Sequence, residues 1–312
     1  MPQAWHLDSS AINLYYSDMT LTLKAREQFG GAADFLSLRI DPLAKGYPAH
    51  AHDYVEIVIV LEGSALHRID QRAYRLAAGD VYVLRGNTVH AFEDASDDFR
   101  IANLMYLPDK VCFPQPLLQQ LPGYQALFVL EPARRLEGGF KSRLRLDAFS
   151  LKNLLAGLRL MAEEYAARSP GYDSLLQARL LELVVTLSRA YEKSDGGGGR
   201  HRLLRIGEAV AWLEGHYLER LSVPELARRA TLSERQFLRV FRRLYGCSPV
   251  EQILKLRIRH ACGLLRSGRV SVAAAARASG FTDSNYFSKQ FRRETGMPPR
   301  EFLRRHAPAA RP

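Results

Sequence analysis

One pattern occurs twice in this chain, and it limits what the last third can fold into. Phe237-Leu-Arg-Val-Phe241-Arg242-Arg243-Leu-Tyr-Gly246-Cys-Ser-Pro249 returns as Phe287-Ser-Lys-Gln-Phe291-Arg292-Arg293-Glu-Thr-Gly296-Met-Pro-Pro299, offset by 50 residues throughout. Two Phe four apart stack on one face of a helix. The Arg pair follows on the other face, Gly supplies a left-handed cap, and Pro blocks continuation. A short helical pattern precedes each copy across a tight turn, at 223–230 and 272–279. Helix, turn and basic helix form a helix-turn-helix signature, and two copies in one chain point to double-stranded DNA.

The charge is distributed as a DNA-binding module requires. Residues 203–306 hold 20 Lys and Arg against 9 Asp and Glu, a local charge of +11. Residues 1–199 hold 21 against 24, so the positive excess is confined to the repeat-bearing third. A polyanion-binding module joined to a nearly neutral one is the expected organisation. At 312 residues the chain is long enough for two cores. Cys112, Cys247 and Cys262 form no CxxC pair, which suits a reducing cytoplasm. No apolar run approaches the roughly 20 residues that span a bilayer. The N-terminus lacks a basic stretch followed by an apolar one. A cytoplasmic protein with no membrane partner is expected.

The first half reads as β structure. Short alternating stretches at 21–24 and 35–40 suggest strands. From His50 the signal strengthens through 54–61, 64–69, 74–76, 81–84, 89–92 and 101–106, with turns at Gly63, Gly79-Asp80 and Gly86-Asn87. Strands at this spacing read as a sandwich or barrel. Residues 110–148 are rich in Pro and Leu, with a break at Gly138-Gly139. Two amphipathic helices follow. Leu151, Leu154, Leu155, Leu158, Met161 and Tyr165 share one face of the first; Leu176, Leu180, Leu183, Val184, Leu187 and Tyr191 share one face of the second. These stripes fit either packing on their own domain or a dimer seam. The Gly run ending at Gly199 reads as a flexible linker. The expected divisions are 1–148 for an effector domain, 149–193 for a helical and dimerising segment, 194–202 for the linker, and 203–306 for the DNA-binding domain.

Within the basic module, Ser222 and Glu225, Ser233 and Gln236, and Ser248 and Glu251 have capping-box spacing. With Phe237, Val240 and Phe241 facing the core, Arg235, Leu238, Arg239 and Arg242 lie outward, where they can enter a major groove. Arg can pair with guanine O6 and N7, and Leu238 can meet a thymine methyl. In the second copy Asp283 caps the helix and Ser284, Asn285, Ser288 and Lys289 form the outward set, with Asn able to pair with adenine. Arg243, Arg292, Arg293 and Lys255 suit phosphate. The connecting helix from Ser248 to Leu265, about 17 residues and roughly 25 Å long, can set the two reading helices about one DNA turn apart.

A second constellation lies in the β region: His50-x-His52-x3-Glu56-x6-Gly63, then Gly79-Asp80 and His90. It resembles the two signatures of the cupin β-barrel, with Arg85 and Asn87 in place of the usual Pro and Gly. In metal-bound cupins three His and a Glu converge on one ion, and such a set suits Fe, Mn or Ni. With a DNA-binding module attached, the favoured reading is an organic-ligand pocket lined by His50, His52, Glu56 and His90, with no metal and no cofactor.

Residues 203–303, including Gly280-Phe281-Thr-Asp-Ser-Asn-Tyr-Phe-Ser-Lys-Gln-Phe291, resemble the AraC/XylS family of bacterial regulators. The stretch from His50 to Val60, Gly63-x-x-Leu66-His67, and Asp283-Ser-Asn-Tyr-Phe with Arg293-Glu-Thr-Gly-Met are similar to the L-rhamnose operon activators within it. The resemblance implies an α+β chain, a cupin-like β-barrel with flanking helices followed by an all-α domain with two helix-turn-helix motifs. It implies a non-enzymatic activator that binds a small-molecule effector, a sugar such as L-rhamnose, and DNA half-sites as a homodimer, and that recruits RNA polymerase. In such activators an acidic residue at the position of Asp283 can meet polymerase, although capping alone accounts for it. The alternatives are a cupin metal sensor or metalloenzyme fused to a DNA-binding domain, and a repressor with the same module.

Overall fold

The computed structural model describes residues 21–24, 29, 34–69, 72–86, 88–135, 144–194 and 198–306. Asn87, Gly138, Gly139 and 195–197 of the expected linker lie outside them. Among the described residues, ten strands form two facing five-stranded sheets. They are β1 (Leu21–Leu23), β2 (Leu36–Pro42), β3 (Tyr47–His52), β4 (Val55–Glu62), β5 (Ser64–Ile69), β6 (Arg72–Ala77), β7 (Asp80–Arg85), β8 (His90–Glu93), β9 (Arg100–Tyr106) and β10 (Leu144–Arg145). One sheet runs β1-β3-β8-β5-β6 and the other β10-β7-β4-β9-β2.

The unbroken apolar run of β4 follows from burial on both faces. Val58 and Val60 point between the sheets, where they meet Tyr82, Leu84 and Ile101. Ile57, Ile59 and Leu61 point the other way, into a core shared with helices. Strand β5, with one face toward solvent, alternates instead between buried and half-buried residues.

Two helices lie where sequence patterning gave none: α1 (Gln115–Leu118) and α2 (residues 122–135), whose middle, Gln125–Leu130, is wound as a π-helix. Gln125, Ala126, Leu127, Phe128 and Leu130 are all buried, so α2 carries no polar face to mark its period. Helix α4 (Tyr172–Lys193) packs on it, and α3 (Ala148–Ala167) packs on α4. Leu176, Leu180, Leu183, Val184, Leu187 and Tyr191 of α4 are buried within this chain's own core, which leaves that stripe unavailable as a seam.

The basic module begins with α5 (Gly198–His216), which starts inside the expected linker of 194–202 and takes in the end of the glycine run. It continues with α6 (Val223–Arg229), α7 (Glu234–Tyr245), α8 (Pro249–Arg266), α9 (Val272–Ala278), α10 (Ser284–Thr295) and α11 (Pro299–His306). Both boxes at Ser233 and Ser248 close in both directions. At Ser222 the hydroxyl accepts from the Glu225 N–H, but the Glu225 carboxylate turns to Arg229 at 3.4 Å. Gly246 and Gly296 end α7 and α10 at φ 68° and 79°, the left-handed region that a side chain disfavours.

The first reading unit is not a separate body. Leu203, Ile206, Val210, Leu226, Phe237, Phe241 and Leu256 belong to the same core as the sheet face and α2–α4. Two glycines permit close packing on both sides of α2. A Cβ on Gly123 would lie 2.0 Å from the Ser188 carbonyl oxygen of α4, and one on Gly207 would lie 2.6 Å from the Pro122 carbonyl oxygen. At the end of α7 the Tyr245 hydroxyl donates to Gln125 Oε1 at 2.8 Å, and the Gln125 amide donates in turn to the Gln119 carbonyl at 2.7 Å. The second reading unit has its own core of Ile258, Ala261, Leu265, Ala275, Phe281, Phe287, Phe291 and Phe302. No helix among the described residues is long and apolar enough to cross a membrane.

Gly123→Ala is expected to lower stability by about 1–3 kcal/mol, because backbone must shift on both sides. Gly263→Ala in α8, where a Cβ meets nothing within 4 Å, is expected to raise it by about 0.5–1 kcal/mol. Urea unfolding of both variants checks the pair.

Candidate effector pocket and nucleic-acid interface

The pairing of β3 with β8 sets His50 directly opposite His90. His52 follows two residues on, on the same face. Glu56 enters from β4 of the facing sheet, and the β4–β9 register places Asn103 diagonally beside it. All four expected ligand residues therefore meet, and all are buried. His52 Nε2 stands 3.2 Å and His90 Nε2 3.4 Å from Glu56 Oε2, while Asn103 Nδ2 donates to Glu56 Oε1 at 2.6 Å. His50 Nδ1 donates to the Pro48 carbonyl at 2.9 Å and His52 Nδ1 to the Tyr54 carbonyl at 3.0 Å. Burial pushes the His90 imidazole down to about 3 and lowers His50 too, against the pull of Glu56, so both rings are neutral at pH 7.

Beside this cluster opens a pocket of about 490 Å³, its mouth included. Its polar wall comprises Arg39, Asp41, Tyr47, His50, Glu56 and Asn103. Only His50 and Glu56 of the expected four line it; His52 and His90 lie behind them. Asn103 Oδ1 is buried with no hydrogen-bond partner, an acceptor available to a ligand hydroxyl. Burial pushes the Tyr47 hydroxyl up, which keeps it a neutral donor. Arg39 and Asp41 were missed because they lie on a weakly patterned strand and reach the pocket only through the β2–β9 register. Their polarity within an alternating strand was the one available signal. His67 was also missed as a site residue. Its Nε2 lies 3.4 Å from His90 Nδ1. Asp80 stays out of the cluster; Arg145 holds it at 2.7 Å.

On the basic module, Phe237, Val240 and Phe241 are buried and Arg235, Leu238, Arg239 and Arg242 are exposed along α7. On α10, Phe287 and Phe291 are buried and Ser284, Asn285, Ser288 and Lys289 are exposed. Tyr286, 46% exposed, stands among the latter and was not singled out in the sequence. Gln290, by contrast, is buried. The Asp283 carboxylate caps α10, accepting from the N–H groups of Asn285 and Tyr286 at 2.7 and 2.8 Å. Arg257 on α8 joins the two units. Its guanidinium donates to the carbonyls of Tyr217, Gly280 and Glu219 at 2.7, 2.8 and 2.8 Å.

A polar pocket inside a double β-sheet, packed against a two-fold helix-turn-helix module, defines a ligand-responsive DNA-binding transcription regulator. An AraC-like ligand binding domain model matches residues 40–184, and a helix-turn-helix domain model matches residues 226–305. The HTH-type transcriptional activator RhaS of Escherichia fergusonii is 31% identical over 272 residues, covering 86% of this chain and 92% of that protein. The RhaS activator of Klebsiella pneumoniae is 30% identical over 259 residues, 82% and 87% of the two. The chain belongs to the AraC family. Among solved structures, a probable AraC family transcriptional regulator from Rhodopseudomonas palustris is 27% identical, covering 33% of this chain and 98% of that one at a TM-score of 0.32.

Arg257→Ala is expected to destabilise the protein by about 2 kcal/mol, since charged hydrogen bonds to three carbonyls are lost. Differential scanning calorimetry checks it, with Arg257→Lys, which reaches fewer of the carbonyls, falling between.

Proposed function

We propose that the chain activates transcription of an L-rhamnose catabolic operon in response to the sugar. The observation that carries this is the polar pocket, whose Arg39, Asp41, Tyr47 and Asn103 offer donors and acceptors to several hydroxyls at once. Likeness to activators named RhaS over most of both chains supports the choice of sugar and the positive sign of control. The sugar bridges β2, β4 and β9, and it shifts the regulator only by binding one domain arrangement better than another. The route from pocket to DNA runs through the sheet into α2, and from Gln125 to Tyr245 at the end of α7.

Arg235, Leu238, Arg239 and Arg242 read one major-groove segment, and Ser284, Asn285, Ser288 and Lys289 the next. A homodimer then contacts two direct half-sites, and RNA polymerase is recruited beside them. Asp283 is the candidate polymerase contact, in addition to its capping role.

Binding of the purified chain to the DNA upstream of its own and neighbouring genes, at one fixed salt concentration, tests the reading. Specific binding that tightens with L-rhamnose is expected; specific binding indifferent to L-rhamnose, with unchanged activation, removes the sugar assignment. Arg239→Ala is expected to cost about 1–3 kcal/mol at a cognate site and much less on random DNA. Asp283→Asn keeps the cap, so the polymerase contact predicts lost activation with DNA binding intact; unchanged activation eliminates that contact.

A further inference from the structure

The register of β2 on β9 sets out one wall of the pocket residue by residue. Ile101, Asn103 and Met105 share the face of β9 turned between the sheets, because Ala102 and Leu104 face the helical core. Arg39 lies opposite Asn103, and Asp41 lies opposite Ile101. Residues paired in this way carry their Cβ atoms about 4.5–5.5 Å apart. Beyond Asp41 the chain leaves β2 and turns, and Leu43 in that turn lines the pocket too. The wall therefore changes character along its length. A guanidinium and an amide come first, then a carboxylate beside an aliphatic chain, then leucine.

The apolar end is built, and it is continuous with the core. Phe92 and Ile101 are buried members of the cluster between the sheets, and Leu43 and the Tyr47 ring pack against that cluster. The turn that carries Leu43 is pinned. The Leu43 N–H donates to the Phe99 carbonyl at 2.9 Å, and the Leu43 carbonyl accepts from the Gly46 N–H at 2.7 Å. Tyr47 and His50, three apart, would face opposite ways in a regular strand. Both line the pocket, because the register of β3 on β8 shifts between them. Such a bulge re-aims a side chain. Here it brings an aromatic ring to the apolar end while His50 stays with the polar groups.

We propose that the end formed by Leu43, Phe92 and Ile101 seats the exocyclic methyl group of a 6-deoxyhexose, and that this contact selects the effector among sugars of one ring configuration. The proposal rests on the sugar reading above. In a 6-deoxyhexopyranose the methyl on C5 and the hydroxyl on C4 are neighbours, as Ile101 and Asp41 are on the wall. Asp41 accepts from that hydroxyl while the methyl lies against Ile101 and Leu43. Arg39 donates to the next hydroxyls, and the unpaired Asn103 Oδ1 accepts from them. L-Mannose differs from L-rhamnose by a hydroxyl on that methyl, and L-lyxose by the loss of the carbon altogether. The first would bury a hydroxyl among hydrocarbon side chains, and the second would leave their surface uncovered. Each difference is worth about 10–100-fold in affinity.

Titration calorimetry of the full-length protein with L-rhamnose, L-mannose and L-lyxose tests the assignment. L-Rhamnose should bind tightest, with each of the others about 10–100-fold weaker. Leu43→Ala trims the apolar end at a half-buried turn position. It should weaken L-rhamnose about 10-fold and leave L-lyxose, which has no methyl to lose, unchanged. Asp41→Asn should weaken all three sugars by the same factor, since each carries the C4 hydroxyl. Equal affinity of the wild type for L-rhamnose and L-mannose overturns the methyl seat while the sugar reading stands. So does an equal loss of L-rhamnose and L-lyxose in Leu43→Ala. Heat from none of the three sugars, in protein that still binds its DNA specifically, removes the sugar reading and the seat together.

Discussion

Helix α8 is the element on which both reading units depend. Leu256 belongs to the core that reaches back to the β-sheet, and Ile258, two residues on, belongs to the core of the second unit. Between them Arg257 crosses to carbonyls from the end of α5, the following turn and the α9–α10 turn. A single rod thus carries two reading helices, with a guanidinium at the crossing point that fixes their mutual rotation. Three backbone carbonyls just past the ends of two helices are satisfied by one side chain, which fixes the junction between the units.

Much of this was legible in the sequence because the determinants are local. Phe237 and Phe241, like Phe287 and Phe291, state a helical face by spacing alone, and Ser233 with Gln236 or Ser248 with Glu251 state a start. The convergence of His50, His52, Glu56 and His90 could be anticipated because each lies on a short strand of predictable face. What escaped was either uniformly apolar or dependent on register. Helix α2 is buried around its circumference, so it shows no periodicity, and its π-wound centre has no sequence signature. Arg39 and Asn103 become neighbours only once β2 and β9 pair over seven residues. That register is set by packing between distant segments, which no local pattern encodes. The Glu225 half of one capping box failed for a smaller reason: a cation one turn along competed for the same carboxylate.

The β domain also departs from the usual economy of an interior. A carboxylate, three ring-paired imidazoles and an amide occupy ground that Val or Leu could fill, and buried polar groups cost stability unless each is matched. Here they sit beneath a pocket, on the concave side of strands whose opposite faces carry Ile57, Ile59, Leu104 and Tyr106 into the helical layer. The same strands therefore present polar chemistry to the pocket and apolar surface to the module behind. Ile57 and Leu104, the next residues along from Glu56 and Asn103, belong to the core that includes α2.

The continuity of the first core has a consequence for how the polypeptide is made. Synthesis releases the β-sheets and α2–α4 before α5 leaves the ribosome, and domains fold in the order they emerge. The first helix-turn-helix then condenses onto a surface already in place, with Gly207 meeting the Pro122 backbone and Tyr245 finding Gln125. The second closes last, on residues that all come from 258 onward. A nascent sensor that has misfolded offers the first unit no packed surface to condense on.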